Sequence, residues 1–400
     1  MTASPTGMPA AASVVIVGTG VAGITAAESL RTNGFDGAII VFGEEPHLPY
    51  RRTALSKGIV DGDLSDAGIT LRPPAYWTDR GIDIVTSTRV VDVDPRARRV
   101  RLADESDVAY DALVLATGGR ARRLPGATSA LTSLRSRADV DRIRAALDEG
   151  PVVIVGGGLI GTEIAAAIAS AGDGTRVSIV EAAPSLLSRV VPAVIADDLI
   201  SLHREHGVHI HTSAQIASAD AGGVTLADGT RLAGTVISAI GMEPEVALAE
   251  SAGLALDRAG ILVDDALRTS MSGIYAAGDV AARPHPLTGA PMRAEQWLTA
   301  TEHGRLVAMT ISTDLGSASS GTPAPRVPLA WTMQYGTNVQ IVGWPAAGAR
   351  VVLDADGSCT TARCFDEDRL VGAVCMGRGG PARQIRDEIE ATLRPVGIGA

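Results

Sequence analysis

The strongest constraint on the fold is a glycine-rich turn that occurs twice, each time between a short apolar segment and an alanine-rich one. The first copy follows Ser13–Val17 and reads Gly-Thr-Gly-Val-Ala-Gly over residues 18–23. The second follows residues 151–155 and reads Gly-Gly-Gly-Leu-Ile-Gly over residues 156–161. Short β-branched runs are typical of buried parallel strands, and the alanine-rich segments after the turns predict helices over residues 24–33 and 163–170. The apolar run over residues 38–42 predicts the next buried strand of the first unit. The chain therefore contains two βαβ units, a duplication of one module rather than a short-period repeat.

Each glycine of such a turn has a physical task. The first permits the tight turn, the second lets a diphosphate approach the backbone, and the third lets the helix pack closely on the strand. The free N–H groups at the start of the helix then favour the negative charge of the diphosphate. Since both copies have the strand–turn–helix context, we predict two dinucleotide sites, at Gly18, Gly20 and Gly23 and at Gly156, Gly158 and Gly161.

An acidic residue after the second strand of each unit selects the nucleotide. Glu181 ends that strand in the second unit, where a carboxylate accepts hydrogen bonds from a ribose 2′-OH and repels a 2′-phosphate. Ala182 and Ala183 supply no arginine for that phosphate, so we expect NADH rather than NADPH. In the first unit the acid is Glu44 or Glu45, and we prefer Glu44 because a solvated loop explains Glu45 equally well.

Composition limits the other classes of function. The net charge of −10 argues against a nucleic-acid or membrane-surface role, and 46% apolar residues allow a large core. Residues 1–12 look like a loose tail rather than a signal peptide, and no uninterrupted stretch of 18 apolar residues predicts a membrane span. The three cysteines all fall after residue 358, and an odd number with no disulfide framework suits a reducing cytosol. Residues 317–325, rich in Ser, Gly and Pro, predict a linker.

Three further segments resemble one family of proteins. Residues 111–119 predict a strand that ends in Thr117-Gly118, and residues 273–280 predict one that ends in Gly278-Asp279. With the paired units, these resemble the flavoproteins that have two dinucleotide-binding domains. Residues 49–57, Pro-Tyr-Arg-Arg-Thr-Ala-Leu-Ser-Lys, resemble the Pro-Tyr-x-Arg-Pro-Pro-Leu-Ser-Lys motif of the NADH-dependent, FAD-containing ferredoxin reductases of bacterial oxygenase and P450 systems.

The resemblance implies an α/β fold with two Rossmann-like dinucleotide-binding domains, one for FAD and one for NAD, and a small C-terminal α+β domain. The FAD-binding domain is expected to be discontinuous, over residues 13–118 and 246–322. The NAD(H)-binding domain is expected over residues 119–245 and the C-terminal domain over residues 323–400. Short strands and a helix near residues 383–393 support the last assignment.

The resemblance also implies roles for individual residues. Those expected at FAD are Gly18, Gly20, Gly23, Glu44, Arg52, Lys57, Thr117, Gly118, Gly278, Asp279, Glu295, Gln296 and Trp297. Those expected at NADH are Gly156, Gly158, Gly161, Glu163, Glu181, Gly241 and Trp331. Lys57, Glu163 and Trp331 are the expected catalytic residues, with Lys57 beside the isoalloxazine, Glu163 paired to it and Trp331 near the nicotinamide.

Lys57 is the only lysine among 35 lysines and arginines. A compact ammonium differs from the broad, planar guanidinium, so a single retained lysine asks for a reason. Hydride transfer from nicotinamide C4 to flavin N5 places negative charge on the reduced ring, which a nearby ammonium stabilises. A carboxylate at Glu163 would keep that ammonium charged when it is buried.

The expected function is an FAD-dependent NADH:ferredoxin oxidoreductase that passes single electrons to a [2Fe–2S] ferredoxin serving a P450 or Rieske oxygenase, as monomer or homodimer. The chain departs from the family at Thr53-Ala54, in place of Pro-Pro, and at Thr332-Met333, in place of Ser-Asp. The second change removes a carboxylate close to the flavin edge. The first alternative is therefore an FAD/NADH enzyme acting directly on a small molecule or quinone, and the second is a redox-sensing protein that dimerises with NADH.

A pair of cysteines and a cluster of histidines could suggest a redox disulfide and a metal site, but neither is expected. Cys359 and Cys364 have redox spacing, but they lie far along the chain from Lys57 and Gly118, so a disulfide reductase is not expected. Four histidines, at 203, 206, 209 and 211, have the chemistry of zinc ligands. A glycine separates the predicted helix from the strand among them, so we interpret them as surface histidines and predict no metal site.

Overall fold

The computed structural model describes residues 12–128, 131–147, 150–172, 174–316, 326–348 and 350–393. Most of the expected N-terminal tail and all of the expected linker over residues 317–325 lie outside these ranges. Among the described residues, no helix has both the length and the apolar character to cross a bilayer.

The first glycine-rich turn lies at the carboxyl end of a five-stranded parallel sheet, here the first parallel sheet. Its β-branched central strand, Ser13–Val17, is nearly all buried, and it pairs in register with Ala38–Phe42 on one side and Ala112–Leu115 on the other. In spatial order the strands are Ile274–Ala276, Ala112–Leu115, Ser13–Val17, Ala38–Phe42 and Ile82–Val85.

Two long helices pack together beside the first parallel sheet. Val21–Thr32 follows the glycine-rich turn, and Trp297–Asp314 returns from much later in the chain. Gly304 allows the close approach, since a Cβ there would lie 2.6 Å from the carbonyl oxygen of Ala22. The late helix therefore belongs to the same layer as the start of the chain.

The second glycine-rich turn has the same setting in a second parallel sheet. Its central strand, Val152–Val155, is fully buried between Val177–Val180 and Thr235–Ser238. In spatial order the strands are His209–His211, Val177–Val180, Val152–Val155, Thr235–Ser238 and Thr132–Ser133. The helices of this part are Arg137–Leu147, Leu159–Ser170 and Ala193–Glu205.

A C-terminal antiparallel sheet and one helix form the third part. In spatial order the strands are Leu329–Gln334, Thr337–Gly343, Arg369–Gly377, Cys359–Asp366 and Arg350–Asp356. The helix Ala382–Thr392 packs on this sheet. Its buried Arg386 pairs with Glu302 of the long helix at 2.8 Å, which anchors the third part to the first.

Short elements complete the fold. Two three-stranded antiparallel sheets consist of Val90–Asp94, Arg99–Leu102 and Asp107–Ala109, and of Ile216–Asp220, Gly223–Leu226 and Arg231–Ala233. A four-stranded sheet consists of Leu256–Asp257, Gly260–Leu262, Ala281–Pro284 and Pro291–Met292, in which the two middle strands are parallel. Gly119–Ala121 and Met242–Pro244 form a two-stranded antiparallel sheet. Short helices are Thr53–Lys57, Asp66–Ile69, Pro74–Thr78 and Ala247–Ser251, with 3₁₀ turns at Gly278–Val280 and Pro345–Ala347.

The predicted fold class, α/β with two parallel sheets and a small C-terminal α+β part, is confirmed. The chain passes between the parallel sheets along Gly119–Ala121 and Met242–Pro244, which pair antiparallel. The domain boundaries remain predictions. Two helices start earlier than expected, at Val21 and Leu159, because the third glycine of each turn already lies in the first helical turn.

Candidate functional site

An open cleft of about 450 Å³ lies at the carboxyl ends of the strands of the first parallel sheet. Parallel sheets commonly bind ligands at this edge. The cleft brings together fourteen residues that the sequence predicted: Gly18, Gly20, Glu44, Arg52, Lys57, Thr117, Gly118, Glu163, Gly278, Asp279, Glu295, Gln296, Trp297 and Trp331. The other predicted residues, Gly23, Gly156, Gly158, Gly161, Glu181 and Gly241, do not line it.

The first glycine-rich turn has the geometry of a diphosphate cradle. Gly18 has φ +119°, and a Cβ there would lie 2.1 Å from the Ala116 carbonyl oxygen. A Cβ on Gly23 would lie 2.1 Å from the carbonyl oxygen of Gly18, so only glycine lets helix and strand pack this closely. Gly20 faces open space within 4 Å, in the cleft at the start of the helix. The residues present therefore fit the diphosphate of FAD.

The second glycine-rich turn repeats this geometry. Gly156 has φ +108° and approaches the Ala239 carbonyl, and a Cβ on Gly161 would lie 2.0 Å from the Gly156 oxygen. Gly158 again has nothing within 4 Å of its Cβ direction. The turn therefore fits a second dinucleotide, outside the cleft of the first.

Glu181 is held against the second turn by backbone N–H groups. The amide of Gly157 donates to one carboxylate oxygen at 2.7 Å, and the amide of Ala183 donates to the other at 2.8 Å. These bonds fix the carboxylate at the edge of the turn, where a ribose would approach. Gly241 follows the neighbouring strand with φ +98° and has no atom near its Cβ direction.

Lys57 and Glu163 form an ion pair in the cleft, although 106 positions separate them. The Lys57 ammonium lies 2.8 Å from Glu163 Oε1. The Glu163 side chain is only 6% exposed, whereas that of Lys57 is 31% exposed. The pair joins the short helix Thr53–Lys57 to the helix Leu159–Ser170, so it bridges the two dinucleotide units. A buried carboxylate that is paired and hydrogen-bonded in this way holds the ammonium in one place.

Two hydroxyl groups complete the environment of Glu163. Ser56 donates to Oε2, and Thr332 donates to Oε1 at 2.7 Å. In the sequence, Thr332 is notable only because Thr332-Met333 replaces the Ser-Asp of the family motif. Its hydroxyl takes part in the site, whereas the neighbouring Met333 is 50% exposed.

Glu44 and Glu45 differ in their contacts. Glu45 forms an ion pair with Arg52 and accepts a hydrogen bond from the Tyr50 hydroxyl at 2.7 Å, so its interpretation as a solvated loop charge is wrong. Glu44 is exposed in the cleft and makes no hydrogen bond or ion pair with any other described residue. Its carboxylate is therefore available to a ligand.

Arg135 is a cleft residue that the sequence reasoning missed. It lies 3.7 Å from Asp279, whose carboxyl pKa is raised by burial, with the Arg135 charge opposing that shift. Burial lowers the pKa of Arg135 itself. The carbonyl of Arg135 accepts a hydrogen bond from Arg52 at 3.0 Å. No local motif surrounds Arg135, because the residue reaches the cleft only through the edge strand of the second sheet.

Two tryptophans from different parts of the chain line the cleft. Trp297 begins the long helix, and Gln296 is its N-cap. Glu295, just before it, pairs with Arg293 at 2.7 Å. Trp331 comes from the first strand of the C-terminal sheet and reaches the same cleft. Three parts of the chain therefore meet at one site.

The four histidines at 203, 206, 209 and 211 and the three cysteines do not line this cleft. His203 is fully buried, so the interpretation of surface histidines is wrong for that residue. Within the described ranges, no group of three or more His, Cys, Asp or Glu side chains could hold a metal ion. Cys359, Cys364 and Cys375 are buried free thiols in the C-terminal sheet, and burial raises the pKa of Cys364 to about 11.

The chain matches two family models. Residues 12–304 match the pyridine nucleotide-disulphide oxidoreductase family, and residues 329–396 match the reductase C-terminal family. The former family implies FAD and NAD(P)H as cofactors.

Curated relatives and a solved structure agree with these matches. Rhodocoxin reductase of Rhodococcus erythropolis is 35% identical over 92% of this chain and 86% of its own length. A rubredoxin-NAD(+) reductase of Pseudomonas putida is 35% identical over 82% of this chain and 86% of its own. The crystal structure of a covalent putidaredoxin reductase–putidaredoxin complex aligns with a TM-score of 0.89 and 30% identity, covering 96% of this chain and 94% of that one.

These matches fit the two glycine-rich cradles and the tryptophan-lined cleft. The chain therefore belongs to the pyridine nucleotide-disulphide oxidoreductase family, with a reductase C-terminal domain, and is a flavoprotein oxidoreductase of the ferredoxin–NAD(+) reductase type.

Proposed function

We propose that this protein is an FAD-dependent NADH:ferredoxin oxidoreductase of the cytoplasm, which supplies electrons through a [2Fe–2S] ferredoxin to a P450 or Rieske oxygenase. The observation that carries the proposal is the Lys57–Glu163 ion pair, 2.8 Å long, in the cleft that the first glycine-rich turn lines. When bound, FAD accepts a hydride from NADH and can release the two electrons singly.

The residues around the cleft have distinct tasks in this proposal. Gly18 and Gly20 leave the backbone open to the FAD diphosphate, and Glu44 offers a free carboxylate to its ribose. Asp279 and Arg135 form a close pair that lines the same cleft, where they can hydrogen-bond polar groups of the cofactor. Trp297 and Trp331 present apolar surfaces that exclude water from the reacting atoms.

Lys57 supplies the electrostatic part of the mechanism. The Lys57 side chain lines the cleft and is 31% exposed, whereas the side chain of its partner Glu163 is only 6% exposed. A fixed positive charge lowers the energy of a transition state in which negative charge grows on the cofactor, without reorganisation during the reaction. Glu163 holds the ammonium in place rather than acting on the substrate directly.

The preference for NADH rests on Glu181. Its carboxylate is held by the amides of Gly157 and Ala183, so it cannot swing away from an incoming ribose. A 2′-phosphate would meet this negative charge at close range. Flavin reduction should therefore be much faster with NADH than with NADPH.

Two observations bear on the identity of the electron acceptor. Curated relatives are named for rhodocoxin and for rubredoxin, and the solved relative holds putidaredoxin. Met333, two residues after Trp331 in the same strand, is half exposed and stands where the family motif has a carboxylate. This apolar substitution is the observation that keeps direct reduction of a small molecule or quinone as a second candidate.

A panel of acceptors separates the two candidates. The purified FAD-loaded protein is mixed with saturating NADH and, in turn, a [2Fe–2S] ferredoxin, a rubredoxin and a soluble quinone. The proposal predicts saturable turnover with ferredoxin, read through cytochrome c reduction. Turnover of the quinone at a higher kcat/KM than every electron-transfer protein would replace it with the second candidate.

A further inference from the structure

A buried line of polar side chains leads from Glu163 to the edge of the C-terminal sheet. Thr332 and His203 are 0% exposed and Gln334 is 1% exposed. They come from two separate elements, the strand Leu329–Gln334 and the helix Ala193–Glu205. Burying polar groups costs free energy unless every donor and acceptor is satisfied, so such a line needs a reason.

The hydrogen bonds along the line are continuous. Thr332 Oγ1 donates to Glu163 Oε1 at 2.7 Å. The amide nitrogen of Gln334 lies 2.9 Å from Thr162 Oγ1 and 3.4 Å from Thr332 Oγ1, and donates to both. The amide oxygen of Gln334 lies 2.9 Å from His203 Nε2, and the hydroxyl of Tyr335 lies 2.8 Å from His203 Nδ1.

These contacts fix the direction of each bond. Because the Gln334 nitrogen donates to hydroxyl groups, its oxygen accepts, and His203 must carry its proton on Nε2. Nδ1 is then an acceptor, and the Tyr335 hydroxyl donates to it. Burial lowers the pKa of His203 to about 4, which agrees with this neutral tautomer. Every donor in the line therefore points toward Glu163.

The line ends on the Glu163 carboxylate. With the Thr332 hydroxyl engaged as a donor, Glu163 Oε1 lies between that hydroxyl and the Lys57 ammonium, while Oε2 accepts from Ser56. This leaves the carboxylate one orientation in which all its bonds are made. Rotating it would break the contact with the ammonium and leave buried groups unpaired.

We propose that Thr332 is a positioning residue for the Lys57–Glu163 pair, and that Gln334 and His203 hold its hydroxyl in place. The inference rests on the proposed function, since it assumes that the ammonium acts on bound flavin. The C-terminal sheet thereby supplies the last donor to a pair that the two dinucleotide units form.

The test compares Thr332→Val with Thr332→Ser in the FAD-loaded protein. Valine keeps the volume and removes the hydroxyl, so we expect flavin reduction by NADH to slow about tenfold, as for a lost bond to a charged group. Serine restores the hydroxyl and should restore the rate to within about twofold of the original protein. Reoxidation of the reduced protein by ferricyanide should be the same in both variants.

A matched control removes an equivalent hydroxyl elsewhere in the same sheet. Thr361 is 5% exposed, and the hydrogen-bonding contacts of its side chain are with the cysteines 359 and 375. Thr361→Val should leave the rate of flavin reduction unchanged. An equal slowing in T361V and T332V would mean that the effect is general to the sheet and would overturn the proposal.

A second readout does not depend on activity. Urea unfolding is measured for the original protein, T332V, Glu163→Gln and the double variant. If the hydroxyl acts on the carboxylate, T332V should destabilise the Glu163→Gln variant less than it destabilises the original protein. The two decreases in the folding equilibrium constant should differ by a factor of about five. Additive effects of the two substitutions would overturn the proposal.

The outcomes separate this inference from the function on which it rests. No flavin reduction by NADH in the original protein would reject the proposed function, while the unfolding cycle would still report the Thr332–Glu163 contact. Normal reduction in T332V would reject the positioning role alone. If T332V does not fold, Tyr335→Phe, which removes the half-buried hydroxyl at the other end, should slow reduction about threefold, and no slowing would overturn the proposal.

Discussion

At the scale of single residues, Lys57 is the one ammonium in a chain that otherwise uses arginine. Glu163 and Thr53 O surround it closely, which suits a small cation better than a broad planar one. We predict that Lys57→Arg retains FAD but slows flavin reduction by NADH about tenfold or more, because the charge is displaced from the carboxylate. Anaerobic stopped-flow absorbance measures this rate.

The reciprocal exchange Arg51→Lys is the matched control. Arg51 is exposed in the same segment, and its guanidinium donates to the Gly68 carbonyl outside the cleft. Its substitution should leave the reduction rate unchanged. An unaltered rate in K57R would mean that the single lysine has no chemical role.

Substitutions of Glu181 and of Glu44 should each affect the binding of a different dinucleotide. Glu181→Ala removes the acceptor held by the amides of Gly157 and Ala183, so we expect the KM for NADH to rise about tenfold with a small change in kcat. Glu44→Ala should instead lower the FAD content of the purified protein and leave the KM for NADH unchanged. Absorbance ratios and steady-state kinetics read the two effects, and the opposite assignment would show that the sites are exchanged.

Sequence motifs predicted some contacts of the site and not others. The Lys57–Glu163 pair was expected from the resemblance of the chain to ferredoxin reductases, whose Pro-Tyr-x-Arg-Pro-Pro-Leu-Ser-Lys motif is matched by residues 49–57 and ends at Lys57. Arg135 and the hydroxyl of Thr332 were not, because each reaches the cleft through tertiary packing that leaves no local pattern. The choice of Glu44 rather than Glu45 as the ribose-binding acid stays a prediction, although Glu45 is occupied by Arg52 and Tyr50.

At the scale of elements, two buried histidines link stability to pH. Burial lowers the pKa of His203 to about 4 in the helix Ala193–Glu205, and that of His303 to about 3 in the helix Trp297–Asp314. The unfolded chain binds protons at these rings near pH 6.5, whereas the folded chain does not. Stability is therefore fully present above pH 6.5 and is lost as the pH falls toward 4.

Urea unfolding between pH 7 and pH 5 measures this dependence. We expect the free energy of unfolding to fall by about 1 kcal/mol per pH unit for each histidine below pH 6. His203→Gln, which retains a donor and an acceptor, should make the fall less steep. An equal slope in that variant would contradict the burial of a neutral His203.

The exposed edge strand Arg350–Asp356 predicts association between copies of the protein at high concentration. All seven of its residues are exposed, and Leu353 is 51% exposed beside Val351 and Val352. An open strand edge with aliphatic side chains favours association between chains. We predict that Leu353→Lys lowers light scattering at high protein concentration, whereas Leu353→Ile leaves it unchanged. Equal scattering in all three proteins would show that this edge is harmless.

Strand boundaries were predictable where the chain has a short, continuous apolar run. The strands Ser13–Val17 and Ala38–Phe42 were expected with these bounds, because uniform β-branched runs are typical of buried strands of this kind. The helix starts at Val21 and Leu159 were missed, because glycine has no side-chain signal for helix. The strand expected over residues 273–280 stops at Ala276, where Gly278 takes φ +76° and begins a 3₁₀ turn.

At the scale of the whole molecule, the site depends on all three parts of the fold. Lys57 comes from the region of the first parallel sheet, Glu163 from the helix of the second unit, and Thr332 from the C-terminal sheet. The two-sheet architecture could be predicted from the duplicated turns. The identity of the acceptor could not, because a docking surface is assembled by the fold from residues that are far apart in the chain and leaves no local motif.

In the proposed function, this chain takes a hydride from NADH and passes its two electrons one at a time to a ferredoxin. The most direct measurement is an anaerobic titration of the FAD-loaded protein with NADH in the presence of an excess of [2Fe–2S] ferredoxin. The proposed function predicts two equivalents of reduced ferredoxin for each NADH, and far slower reduction with NADPH. Rapid bleaching of the flavin by NADH with no reduction of any ferredoxin would contradict it.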